Sequence, residues 1–150
     1  MFLLFGLLGV GVSSCKNADP VIHERYEEET RYINQYLQGF KLQNVDSIRL
    51  LILVADEGCI GCVKEVVTTL SNRENVLFVL SPIAYHRYLS SGNSSKNIII
   101  DSTGKINRLS FHQGNVAAIS FKQQQVDTII VLEPVSTSEQ IRFLKATILD

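Results

Sequence analysis

Near-continuous apolar runs punctuate the middle of the chain: Ile48 to Ala55 (IRLLILVA), Val76 to Leu80 (VLFVL) and Asn97 to Asp101 (NIIID). Runs of this length, without polar alternation, predict strands buried on both faces. Segments with helical spacing lie around them. Ile22, Tyr26, Ile33, Tyr36, Leu37 and Phe40 predict an amphipathic helix over about 20–38, ended by Gly39. In VKEVVTTL, Cys62, Val66 and Leu70 share one stripe with Val63 and Val67 beside it, so a helix runs to near Asn72. Ser81-Pro82 supplies a cap and a first-position proline for a further helix, IAYHRYL, which fades into the polar loop SSGNSSK.

STGK carries turn chemistry, and Ile106 to Phe111 is expected to return as the hairpin partner of the third apolar run. Ala117 to Phe121 and Asp127 to Leu132 predict two more strands, joined across Gln123 to Gln125 without Gly or Asn. Ser136 followed by Glu139 reads as a capping box, and Ile141, Leu144, Ile148 and Leu149 give a closing helix. A buried strand feeding a helix and then a second buried strand makes a parallel βαβ unit, whereas hairpin strands run antiparallel. The expectation is an α/β domain with a mixed central sheet flanked by helices on both faces, and an extra helix at the N-terminal side.

Charge adds little. Lys and Arg number 14 against 15 Asp and Glu, so nothing favours nucleic acid or an acidic surface. The only charge block, Glu27 to Glu29, sits among helical residues. There is no internal repeat, no Gly-rich phosphate loop and no Ser/His/Asp set, and no motif calls for a cofactor.

The opening residues change the picture more. Phe2 to Val12 is an uncharged apolar run of signal-peptide length, too short for a permanent membrane span. Val12-Ser13-Ser14-Cys15 then resembles the lipobox of bacterial lipoproteins. The only positive charge before it is the amino terminus, where such signals normally carry Lys or Arg. The resemblance implies cleavage before Cys15, with residues 1–14 removed as a signal peptide, lipid on Cys15, a tether over 15–19 and a domain over 20–150. It also implies a membrane anchor through Cys15 and a place on the extracytoplasmic side of a bacterial cell envelope. Two or three acyl chains give stable anchoring where one gives marginal binding.

With Cys15 assigned to lipid, Cys59 and Cys62 are the free pair in a chain of three cysteines. A CxxC at the start of a helix places its first sulfur among unpaired N–H groups, which favour the thiolate, and its second nearly one turn later on the buried stripe. That arrangement suits Cys59 as attacking thiol and Cys62 as resolving thiol. Asp56 and Glu57 oppose it, since carboxylates close to Cys59 raise a thiol's pKa.

The strand Leu50 to Ala55, Cys59-Ile60-Gly61-Cys62, and Lys64 and Leu70 on the following helix resemble the thioredoxin-like superfamily. Asn97 to Ile106 is similar to the central hairpin of its membrane-anchored members related to peroxiredoxins and cytochrome-maturation reductases. The resemblance implies a thioredoxin-like fold and exchange with protein thiols and disulfides of the envelope. The chain departs from the family at Gly58, where an aromatic is usual, and at Ser95-Lys96, where a cis-proline is expected. Other readings of the pair stay open: a structural disulfide in a non-catalytic binding module, or a copper or zinc carrier completed by His86 or His112.

Overall fold

β1 (Leu50–Val54) occupies the centre of a five-stranded sheet, and all of its residues are buried. The computed structural model describes residues 26–42, 45–88, 97–109 and 116–146. β2 (Val76–Leu80), equally buried, runs parallel to β1, and β3 (Ile98–Ile100) runs parallel to β2 at the edge. On the other side, β4 (Val116–Lys122) pairs antiparallel with β1 and β5 (Gln125–Leu132) antiparallel with β4. The order is β3-β2-β1-β4-β5, a mixed sheet as expected.

Alternation along the strands divides the core into two layers. Leu50, Ile52 and Val54 join Phe78 and Leu80 on one face, against α2 (Ile60–Leu70), α3 (Pro82–Tyr88) and α4 (Thr137–Leu144). Leu51 and Leu53 join Val79 and Ile119 on the other, where α1 (Glu27–Gln38) lays down Ile33, Tyr36 and Leu37. These four are the α-helices among the described residues, and none is long and apolar enough to cross a membrane. The expected start of α1 at 20, Cys15, His112, and Ile148 and Leu149 lie outside the described residues.

One expectation is overturned. Ile106 to Phe111 does not return as a strand: Lys105–Arg108 is a 3₁₀ helix, and 110–111 lie outside the described residues. The cause is Asp101, whose carboxylate accepts the N–H of Thr103 at 3.0 Å and of Ile106 at 2.7 Å. Gly104, at φ 67°, lets the chain curl tightly enough for this, and Ile106 drops into the layer beneath α1. The hairpin bordering β1 is therefore β4–β5, so the likeness of 97–106 to a central hairpin does not carry over to the strand pairing.

Side-chain chemistry at α4 also differs from expectation. Ser136 stands at the N-cap position without a side-chain cap bond, and Gln140 instead accepts the Glu133 N–H at 3.0 Å.

Candidate functional site

The C-terminal end of β1 leads directly into the cysteine turn. The Gly58 N–H donates to the Ala55 carbonyl at 3.2 Å, which brings the chain around onto α2. Cys59 is the N-cap of α2, and its sulfur accepts the Cys62 N–H at 3.3 Å, the place a Ser or Asp oxygen usually fills. Cys59 is half-buried, and Cys62 is 1% exposed on the apolar stripe with Val63, Val66 and Leu70. Both are free thiols.

The two sulfurs differ electrostatically. The Cys62 thiol donates to the Cys59 sulfur, and the Cys62 and Gly61 N–H groups assist, so Cys59 is lowered from the usual thiol range despite partial desolvation. Cys62 moves the other way: burial pushes it up, and its bond to Cys59 adds to this, while Thr137 offsets part. The net shift of Cys59 is thus opposite to the one expected from Asp56 and Glu57. The Asp56 carboxylate accepts from the Asn107 amide at 3.0 Å, and the Asp56 N–H donates back to Asn107 at 3.2 Å.

Neighbouring elements hold the turn. From α3, Tyr88 donates its hydroxyl to the Gly58 carbonyl at 2.7 Å, and Arg87 donates to the Asp56 carbonyl at 3.2 Å. From α4, the buried Thr137 hydroxyl reaches the Cys62 sulfur at 3.2 Å. The turn is fixed from three sides, while Ile60 beside it is 64% exposed.

The structure thus brings Cys59 and Cys62 together and adds Tyr88, Asn107 and Thr137 to them. Tyr88 shares a face with Ala84, a spacing readable in the sequence. Asn107 and Thr137 carry no local signal, because their partners lie 51 and 75 positions away. His86 is exposed, its ring edge-on to Tyr85 at 5.8 Å. Among the described residues no three His, Cys, Asp or Glu side chains gather as a metal site would require. A cleft of about 850 Å³, bordered by Leu37, Lys41, Arg49 and Phe121, opens at the other end of β1 with no cysteine in its lining.

No family model, curated protein or solved structure matches this chain.

Proposed function

We propose that the chain is a lipid-anchored, thioredoxin-like protein of the bacterial envelope that exchanges thiols and disulfides with partner proteins. Cys59 attacks and Cys62 resolves. The observation that carries the reading is the asymmetry of the pair: a partly exposed sulfur capping α2, lowered by donors, beside a buried sulfur that burial raises. Exchange needs a thiolate that a partner can reach and a second sulfur within range of it. The parallel strand feeding the CxxC helix, with an antiparallel pair completing the sheet, supports the thioredoxin-like part of the reading. The anchor rests on the lipobox-like order Val12-Ser13-Ser14-Cys15.

Equilibration of the protein in graded glutathione buffers, with alkylation and mass spectrometry, gives the potential of the pair. A value between roughly −270 and −120 mV is the expected result. A potential below about −300 mV marks a structural disulfide and leaves a binding module. For the anchor, incorporation of a labelled fatty acid that disappears in Cys15→Ser is the expected result, and equal labelling in both sinks the lipoprotein assignment.

A further inference from the structure

Cys62 faces a difficulty that its position creates. A resolving thiol must lose its proton before it attacks, and Cys62 does so at 1% exposure among valines and leucines. A thiolate buried in such surroundings is disfavoured unless hydrogen-bond donors meet it. The α4 end of the site holds one. Thr137 is 4% exposed, and its hydroxyl lies 3.2 Å from the Cys62 sulfur and 2.6 Å from the Glu133 carbonyl oxygen. A hydroxyl has a single hydrogen, so it serves one acceptor at a time.

Resting on the exchange reading above, we propose that Thr137 is a switching donor for the resolving sulfur. Its hydroxyl hydrogen points to the Glu133 carbonyl while Cys62 is a thiol, and swings to the Cys62 sulfur when the thiolate forms. No heavy atom needs to move, since both acceptors already lie within reach of one oxygen. Release of Glu133 is inexpensive as well, because its carbonyl keeps the Ser136 N–H at 3.1 Å.

The steps balance. The Cys59 thiolate attacks a partner-protein disulfide, forming the mixed disulfide and freeing the partner's other sulfur as a thiolate that takes up a proton. Cys62 gives its proton to water, and its thiolate, held by Thr137, attacks the Cys59 sulfur. The Cys59–partner bond breaks as the Cys59–Cys62 bond forms, and the partner's second sulfur leaves as a thiolate that takes up a proton, so the partner gains two electrons and the pair loses them. A dithiol donor returns the pair to its reduced state by the reverse steps.

The test uses the full-length chain in detergent, with Cys15→Ser so that only the pair reacts, and an aryl disulfide that liberates a coloured thiolate. Attack by Cys59 releases one coloured thiolate, and resolution by Cys62 releases a second. In T137V the rate of the second phase relative to the first is expected to fall about three- to ten-fold at neutral pH. The gap closes as pH rises through the Cys62 titration, and T137S stays within about two-fold of the parent. A T137V second phase equal to the parent's, or slowed by one factor at every pH, overturns the switch. If T137V loses the first phase through misfolding, T137A against T137S makes the same comparison. A parent chain that releases only one coloured thiolate refutes the resolving role of Cys62 itself, an outcome distinct from failure of the switch.

Discussion

The hydroxyl of Tyr36 donates a 2.9 Å hydrogen bond to the carboxylate of Asp101, 65 positions further along, and both side chains are buried. The bond ties α1 to the turn after β3. Burial acts to raise Asp101, but Thr103, Ile106 and Tyr36 outweigh it and hold the carboxyl below its ordinary range. Burial and the same carboxylate push the Tyr36 hydroxyl far above the usual phenol range. The carboxylate thus organises the 3₁₀ helix that carries Asn107 to Asp56, and so reaches the cysteine turn indirectly.

Removing either member lowers stability. Y36F deletes one donor to a buried carboxylate and is expected to cost about 1.5–2 kcal/mol. D101A removes the acceptor shared by the Thr103 and Ile106 N–H groups and the Tyr36 hydroxyl, for about 3 kcal/mol. Urea denaturation at neutral pH measures both, and a loss under about 0.5 kcal/mol in D101A rejects the organising role.

The same group sets an acid dependence. A carboxyl with a depressed folded pKa stabilises above its unfolded pKa, about 3.9, and that contribution disappears as pH falls through the folded value. The stability gap between the parent and D101N is therefore expected to hold from about pH 7 to 5 and to shrink below about pH 4. Denaturation midpoints across that range decide it, and a gap that widens in acid contradicts the shift.

Much of this architecture is written in local pattern. The unbroken apolar runs at 50–54 and 76–80 have one stable location, the middle of a sheet covered on both sides, and they are found there. The stripe Cys62-Val66-Leu70 likewise faces the core. What pattern cannot carry is competition between local hydrogen bonds and strand pairing. Ile106 has the composition of a strand residue, yet the Asp101 carboxylate captures its N–H and winds the segment into a helix instead. The site divides in the same way. CxxC is a contiguous signal, whereas Asn107 and Thr137 meet the turn only after the sheet and α4 are in place.

Cys59 and Cys62 are expected to alkylate very differently. Exposure and thiolate character both favour Cys59, so iodoacetamide modifies it at least about ten-fold faster at neutral pH. In C62A the S–H donor is gone while the N–H groups remain, so Cys59 rises toward the ordinary range and its rate at neutral pH drops about three-fold. Peptide mass spectrometry over a pH series reads both rates. Equal rates for the two cysteines would remove the asymmetry on which the exchange reading stands.

The β4–β5 turn offers a gain in stability. Gln123 and Gln124 have φ 52° and 65°, the left-handed pair that a two-residue hairpin turn demands and that Asn-Gly adopts more readily. Q123N with Q124G relieves that strain but gives up the 3.0 Å bond from Gln124 to the exposed Asp46. The strain outweighs a surface hydrogen bond, so the double variant is expected to gain about 0.5–1 kcal/mol in urea denaturation. A loss of stability shows the Asp46 contact to be the larger effect.

Gly58, just before the first cysteine, has little room for a side chain. A Cβ built on it lies 3.2 Å from Val54 Cγ1 and 3.4 Å from both the Ala55 carbonyl oxygen and Val63 Cγ2. Val54 and Val63 are fully buried at the junction of β1 and α2, so neither moves aside without opening the core. Overpacking of this kind costs about 1–3 kcal/mol, and G58A is expected near the lower end because a single methyl needs only a small displacement. The displaced peptide is also the one whose carbonyl receives the Tyr88 hydroxyl, so the two perturbations share an atom. Y88F alone is expected to cost about 1 kcal/mol, and G58A with Y88F less than the sum, because a shifted carbonyl has already lost part of that bond. A double-mutant cycle on urea denaturation measures the coupling. Strict additivity would mean that the extra methyl is absorbed toward Val54 and Val63 without moving the peptide, leaving Cys59 where Tyr88 holds it.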